Sequence, residues 1–144
     1  MEITKIVITG GPCAGKTTAQ SWIQNAFSMK GYTVLFIPET CTELICGGVT
    51  YDACGCNLDY QLAQYRLQLA KEQVYEDVAR GMNTDKVLIV CDRGTLDNKP
   101  YMSPEEYEQV LFEMVNTERT ENGLPALSWS NALAGIARNH GADM

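Results

Sequence analysis

Basic residues are scarce in this chain. Its 144 residues contain 11 Lys and Arg against 18 Asp and Glu, which gives a formal net charge of −7. Broad binding of nucleic acid or of an anionic membrane needs a basic face, so this balance argues against both. A local basic pocket remains compatible with it, and the 45% hydrophobic and 20% charged residues are typical of a globular domain.

Long hydrophobic runs are also missing. No apolar stretch approaches the roughly 20 residues of a membrane span. The first residues, Met1–Lys5, lead directly into a β-branched run and do not have the layout of a signal peptide. These absences predict a cytoplasmic protein.

The six cysteines lack the spacing of a zinc motif, because no pair has the usual two-residue gap. In a cytoplasmic protein, free thiols are the simplest interpretation. A metal site formed by the four central cysteines stays open as the alternative, although their spacing matches no zinc pattern. These four are Cys41, Cys46, Cys54 and Cys56.

Glycines near the start of the chain form a phosphate-binding pattern. Within Thr9–Thr18, a glycine, four residues and then Gly-Lys-Thr match the P-loop. The β-branched run Ile3–Ile8 before it reads as a buried strand, and Ala19–Met29 after it has good helix formers without Gly or Pro. Strand, glycine loop and helix together cradle phosphates with backbone N–H groups and the positive end of the helix dipole.

The P-loop pattern assigns roles to individual side chains. Lys16 is predicted to reach the β- and γ-phosphates of a nucleotide, the Thr17 hydroxyl to bind Mg²⁺, and Thr18 to contact the α-phosphate. Cys13 lies within the loop, so its oxidation would hinder nucleotide binding if it is exposed. The predicted nucleotide-binding residues are Gly10, Gly11, Pro12, Cys13, Ala14, Gly15, Lys16, Thr17 and Thr18.

A second strand is predicted over Tyr32–Ile37, followed by Pro38 and then by Glu39. Ligands of parallel sheets sit beyond the carboxyl ends of the strands, so Glu39 could face the reacting end of a nucleotide. A solvated loop carboxylate is the alternative. Residues 41–56 read as a short helix and a loop, which would suit a mobile lid over a substrate.

A long helix is predicted from Leu58 to Arg80, with Asn57 as its N-cap. Its polar residues near the start could face a substrate or the solvent; they are Asp59, Gln61 and Arg66. Its apolar residues fall into two stripes on opposite sides, which predicts packing between two layers. The stripes are Leu58, Leu62, Tyr65 and Leu69, and Leu67, Ala70, Val74 and Val78.

A third strand, Lys86–Asp92, is a hydrophobic run that ends in an acid. In P-loop proteins an Asp at this place holds Mg²⁺, so Asp92 is predicted as a metal ligand. Arg93 follows directly and is predicted to stabilise charge on a transferred phosphoryl group. A further helix begins at Pro104.

Residues 1–112 resemble a family of bacterial AAA-type ATP-binding proteins with a P-loop. That family is related to nucleoside and nicotinamide-riboside kinases and to an animal GTP-binding protein. The stretches that carry the resemblance are Ile6–Thr18, Ile37–Thr40, and Cys91–Gly94 with Asp97 and Tyr101 behind it. The resemblance implies that the third strand lies between the first and second, and that Glu39 takes the proton of an acceptor hydroxyl. It places an acid–arginine pair at Asp92 and Arg93.

The remaining residues, 113–144, resemble the start of a CAP (SCP-like) domain, a family that is usually secreted. Asn116, Arg119, Gly123 and Trp129 carry this second resemblance. It stops before that family's site residues and assigns none to this chain; His140 is interpreted as solvated. A helical pair is predicted from Ser103 to Met144, with its buried residues at Leu124, Leu127, Trp129, Leu133, Ile136 and Ala137.

The predicted fold is α/β: a truncated P-loop NTPase-type three-layer core (1–112) with a short parallel sheet, followed by a truncated CAP-like helical segment (113–144). The predicted function is binding of ATP and Mg²⁺ in a kinase-like phosphoryl-transfer site. Lys16, Glu39, Asp92 and Arg93 are its predicted catalytic residues, and the acceptor is an unidentified small molecule. The alternative is a non-catalytic nucleotide-binding or interaction module. An uncovered sheet edge would favour pairing with a second copy of the chain.

Overall fold

The chain divides into two compact units, Met1–Ser103 and Pro104–Met144. A computed structural model describes residues 1–11, 14–95 and 97–142 of this α/β protein. The boundary predicted between residues 112 and 113 falls inside a helix of the second unit and stays a prediction. Among the helices described, none combines the length and apolar character that crossing a membrane requires.

The first unit alternates strands and helices. Its strands are β1 (Glu2–Ile8), β2 (Thr33–Ile37) and β3 (Lys86–Asp92). Its helices are α1 (Lys16–Ser28), α2 (Thr40–Cys46) and the 25-residue α3 (Asn57–Gly81), with 3₁₀ turns at Tyr51–Ala53 and Lys99–Tyr101. The strands pair in the parallel order β1-β3-β2, which confirms the predicted position of the third strand.

The central strand β3 forms the core of the first unit. Its residues from Val87 to Cys91 are at most 1% exposed, since both faces of the strand are covered. On one face, Ile37, Ala79 and Ile89 pack in a single cluster. Alternation along the strand directs Leu88 and Val90 to the other face.

Helix α3 differs from its prediction in two ways. Asn57 is the first helical residue and not the N-cap, which is Cys56; its Oδ1 accepts from Gln61 Nε2 at 3.1 Å and its Nδ2 donates to the Tyr101 carbonyl oxygen at 2.9 Å. The second apolar stripe is also not buried: Val74 and Val78 are 58% and 51% exposed. Only one side of α3 packs against the sheet, so the helix does not lie between two layers.

The second unit is a helical pair, α4 (Pro104–Glu121) and α5 (Asn131–Ala142). Trp129 is half-buried and meets the Phe112 ring edge-on at 5.2 Å. The other predicted core residues are exposed, which is a correction; they are Leu124, Leu127, Leu133, Ile136 and Ala137. Hydrogen bonds to the backbone attach the connection between the two helices to α4. The Asn116 side chain exchanges two hydrogen bonds with Leu127, and Arg119 Nε donates to the Pro125 carbonyl oxygen. The leucine side chains of this connection therefore remain exposed.

Candidate functional site

The carboxyl ends of all three strands meet at one edge of the sheet. In the strand register Ile8 lies opposite Asp92, and Ile37 lies opposite Cys91. The glycine loop, Glu39 and Arg93 follow these ends directly, so the parallel topology places them around one point. This is the edge at which ligands of open α/β sheets bind.

The glycine loop follows β1 and leads into α1. Gly10 has φ +152°, and a side chain there would meet Ala14 Cβ at 3.3 Å. Gly15 has φ +78° and occupies the N-cap position of α1. A residue other than glycine would be strained at both places. The predicted site residues Pro12 and Cys13 lie outside the described residues.

Lys16 is the first residue of α1, and its ammonium group lies against the loop. Its Nζ donates to the carbonyl oxygens of Gly10 at 3.1 Å and Gly11 at 3.0 Å. Thr17 and Thr18 follow on the exposed first turn. The loop therefore brings together a cation, a hydroxyl group and the N-terminus of a 13-residue helix.

Asp92 ends β3 beside this loop. Its Oδ2 accepts a hydrogen bond from Gln20 Nε2 at 3.0 Å. Its Oδ1 is buried and has no hydrogen-bond partner among the described residues. A buried carboxylate oxygen without a donor is costly, and a cation would satisfy it.

A cavity of about 510 Å³, here called the loop cavity, opens between these groups. Its described lining residues are Ala14, Gly15, Lys16, Thr17, Glu39, Asp92 and Arg93. All four predicted catalytic residues thus line one cavity.

Glu39 and Arg93 form an ion pair between Oε1 and Nε, and Thr42 Oγ1 donates to Glu39 Oε2 at 2.7 Å. Arg93 has φ +73°, the only positive φ among the described residues other than glycine. Its backbone N–H donates to the Ile8 carbonyl oxygen at 3.0 Å. Such a conformation costs about 1–3 kcal/mol and is a common feature of functional sites.

The electrostatics of Glu39 follow from these contacts. Partial burial alone would raise the pKa of its carboxyl, but hydrogen bonds from Thr42 and Arg93 outweigh it. Their attraction holds the pKa of Glu39 below its ordinary value of 4.5. Glu39 is therefore a carboxylate at neutral pH.

This lowered pKa predicts a pH-dependent contribution to stability. A carboxyl whose pKa is depressed by folding stabilises the folded state above its unfolded pKa, and this stabilisation is lost as pH falls through the folded pKa. We expect the free energy of unfolding to fall more steeply below pH 4.5 in the wild type than in Glu39→Gln. Urea titrations from pH 7 to about pH 3 measure this difference. Parallel curves would contradict the prediction.

Asp97 connects the loops after β1 and β3, a role that the sequence did not predict. Its Oδ1 accepts from Thr9 Oγ1 at 2.9 Å, and its Oδ2 accepts from the Gly94 backbone N–H at 3.1 Å. A side chain at Gly94 would meet Val7 Cγ1 at 3.2 Å, so the loop after β3 passes close to the end of β1. Asp97 therefore fixes the position of the backbone beside Arg93.

A second cavity of about 370 Å³, here called the amide cavity, adjoins the ion pair. Glu39 and Arg93 line it as they line the loop cavity. Its other described lining residues are Cys41, Tyr51, Asn57, Tyr60, Gln61, Gln64, Asn98 and Tyr101. Of the three polar residues predicted to face either a substrate or solvent, only Gln61 lies in this cavity; Asp59 and Arg66 are exposed.

The thiols of the described part of the chain do not converge on a metal site. Cys41, Cys46, Cys54, Cys56 and Cys91 are free. Among the residues described, no three His, Cys, Asp or Glu side chains come together as metal ligands. The remaining Cys13 is one of the residues outside the description.

Comparison with protein families gives two matches. The model of the AAA domain family matches residues 5–124, and the model of the cysteine-rich secretory protein family (CAP) matches residues 112–144. Both resemblances are thereby confirmed, and the two matched ranges overlap at residues 112–124, which include the end of α4. Searches of curated proteins and of solved structures give no significant match.

Proposed function

This chain belongs to the AAA domain family, and we propose that it binds a magnesium nucleotide, most simply ATP, and transfers the terminal phosphoryl group to a hydroxyl of a small molecule. One observation carries the proposal: the Glu39–Arg93 ion pair lines both the loop cavity and the amide cavity. A nucleotide in the first cavity and an acceptor in the second would meet at this pair.

The loop cavity suits the phosphate end of a nucleotide. Backbone N–H groups at the start of α1 and the positive end of its dipole favour an anion there. Lys16 Nζ, which donates to carbonyl oxygens of the loop, would turn to the β- and γ-phosphate oxygens.

The residues at this cavity fit a magnesium ion. Asp92 Oδ1 is a buried acceptor without a donor among the described residues, and carboxylate and hydroxyl oxygens are the ligands that Mg²⁺ prefers. Asp92 and Thr17 would hold the ion. When bound, it supplies neutralisation of the charge on the β- and γ-phosphate oxygens.

Phosphoryl transfer would then occur beside the ion pair. The acceptor oxygen forms a bond to the γ-phosphorus while the bridging oxygen leaves with ADP, and the proton of the hydroxyl goes to the Glu39 carboxylate. Arg93 would exchange its contact with Glu39 for the charge on the transferred group. A carboxylate of low pKa can serve here, because positioning and charge stabilisation supply most of the catalysis.

A non-catalytic nucleotide-binding module is the second candidate. The ion pair itself favours it, because Arg93 and Thr42 already occupy both oxygens of Glu39. Binding of ATP–Mg²⁺ without transfer to any of a panel of nucleosides and nicotinamide riboside would select this candidate.

For residues 113–144 we propose a role in stability or association and none in chemistry. The match to the secretory protein family covers only this end of the chain. The association of two copies through the strands β1 and β2 at the edges of the sheet also stays a prediction.

Titration of ATP–Mg²⁺ by calorimetry tests the proposed nucleotide site. We expect Lys16→Ala to weaken binding at least about tenfold, because a single hydrogen bond to a charged group contributes about 1.5–3 kcal/mol. Lys30→Ala removes the same side chain beyond the other end of α1 and serves as the matched control. Equal affinity in all three proteins would remove the proposal, and a parallel GTP titration tests the preference for ATP.

A further inference from the structure

The first half of α3 buries polar side chains where a hydrophobic face would be expected. Gln61, Gln64 and Gln68 are 4–5% exposed, whereas Val74 and Val78 further along the helix are about half exposed. Gln61 and Gln64 line the amide cavity, whereas Gln68 lies outside it and bonds to Thr40 and Glu72. Burying an amide costs free energy unless it is hydrogen-bonded, so an inward row of glutamines is a poor core. Gln61 and Gln64, which line the cavity, are the members of this row that a ligand could contact.

From this row and the cavity beside it we infer that the amide cavity binds the phosphoryl acceptor, and that the acceptor is a neutral molecule with a flat, polar-edged ring attached to a hydroxyl-bearing group, the chemistry of a nucleoside. The identification of this ligand as the phosphoryl acceptor rests on the proposed function. The cavity itself, at about 370 Å³, lies at the small end of the range for ligand pockets.

Tyrosine rings supply flat apolar walls. Tyr51 and Tyr60 meet edge to face, with ring centroids 6.5 Å apart and an interplanar angle of 84°. Tyr101 adds a third ring to the lining. Aromatic side chains bind flat unsaturated rings by stacking, which distinguishes such a ligand from a free sugar or an aliphatic alcohol.

Amide groups supply the means to recognise the edge of that ring. Gln64 Nε2 donates to Gln61 Oε1 at 3.2 Å, Gln61 Nε2 donates to Asn57 Oδ1 at 3.1 Å, and Asn57 in turn donates to Tyr101. An amide has two N–H donors and one carbonyl acceptor, so Gln61 and Gln64 retain capacity beyond these contacts. Gln side chains pair with adjacent donors and acceptors on a base edge.

The charges of the cavity favour a neutral ligand. Glu39 and Arg93 are its charged lining residues in the described part of the chain, and they pair with each other. Burial is the main cause that raises the pKa of Tyr60, and the hydrogen bond with the Cys41 thiol at 3.4 Å is the second. Tyr60 therefore stays protonated and neutral. An anionic ligand would meet the Glu39 carboxylate, and a cationic one would have to compete with Arg93.

The ion pair also sets the orientation of the ligand. Glu39 and Arg93 are shared with the loop cavity, whereas none of the amides and tyrosines lines the loop cavity. A ring held by the amides and tyrosines would present its attached hydroxyl group towards Glu39. This is the orientation that transfer from a nucleotide in the loop cavity requires.

Saturation-transfer NMR and calorimetry on the full chain test the inference. The probes are adenosine, guanosine, cytidine and uridine, with ribose as the ligand without a base and nicotinamide riboside as the one with a cationic ring. We expect at least one neutral nucleoside to bind more tightly than both of these. Gln64→Leu should weaken it at least about tenfold, and leave ATP–Mg²⁺ affinity within about twofold. Gln73→Leu makes the same change on the exposed side of α3 and should alter neither affinity.

A second variant tests the inference even if Gln64→Leu does not fold. Tyr51 is 58% exposed, so Tyr51→Ala should fold normally and weaken the nucleoside alone. The inference is overturned if ATP–Mg²⁺ binds but no neutral nucleoside does, or if ribose or nicotinamide riboside binds best. Nucleoside binding in a protein that does not bind ATP–Mg²⁺ would support the cavity and remove the proposed function.

Discussion

Replacing Glu39 with Gln is expected to lower the rate constant of phosphoryl transfer by about 100- to 10,000-fold, the usual contribution of a general base. The amide keeps the shape of the side chain but cannot take the proton of the acceptor hydroxyl. Nucleotide affinity should stay the same or rise, because Glu39 lines the loop cavity and its negative charge opposes a polyphosphate.

Single-turnover transfer to the nucleoside that binds best measures this effect, and calorimetry measures the nucleotide affinity. Glu43→Gln is the matched control, since Glu43 lies on α2, pairs with Lys71 and is not among the described residues that line either cavity. Transfer at the wild-type rate in Glu39→Gln would show that Glu39 is not the base. A loss of equal size in Glu43→Gln would point to disruption of α2 instead.

The position of Glu39 could be predicted from the sequence because it depends on local signals. A β-branched run, a proline and an acid place the residue at the carboxyl end of β2, and the carboxyl ends of parallel strands share one edge. The same reasoning places Lys16 and Asp92, which line the loop cavity with it. The order of the strands needed more than this, and it came from the resemblance to P-loop kinases.

The contact between Glu39 and Arg93 could not be predicted from local signals. The two residues are 54 positions apart, and their pairing depends on the positive φ of Arg93 and on the β2–β3 register. Sequence patterns indicate where a strand ends, but they do not give the backbone conformation of the next residue. The anchoring of this loop by Asp97 was missed for the same reason.

Helix α3 shows a second limit of prediction from the sequence. Periodicity identifies residues that share a face, but it does not tell which face another element covers. Val74 and Val78 belong to a predicted apolar stripe but are exposed, whereas Gln61, Gln64 and Gln68 lie on a buried side of the helix. The spacing of these glutamines at three and four residues was a signal that could have identified the buried polar side of α3, of which Gln61 and Gln64 line the amide cavity.

The same limit applies to the connection before α5. Leu124 and Leu127 were predicted in the core because they are apolar, yet they are 50% and 47% exposed. Asn116 and Arg119, both on α4, determine their position through hydrogen bonds to the backbone. A pattern of apolar residues does not contain this information.

Replacing Ile89 with Ala is expected to lower the free energy of unfolding by about 2–5 kcal/mol, which is a large fraction of the 5–15 kcal/mol typical of a domain. Ile89 is fully buried at the centre of β3 and packs with Ile37, Ala79 and Cys91. Truncation would leave a cavity between the central strand and α3, where neighbours on both adjoining strands prevent collapse.

Urea unfolding followed by circular dichroism measures this loss, with Ile45→Ala as the matched control. Ile45 lies on α2 and is 50% exposed, so its truncation should change stability by less than about 1 kcal/mol. Equal losses in the two variants would mean that β3 is not the core. Because β3 also carries Asp92 and leads into Arg93, we further expect Ile89→Ala to bind ATP–Mg²⁺ normally at low temperature and to lose binding only as it unfolds.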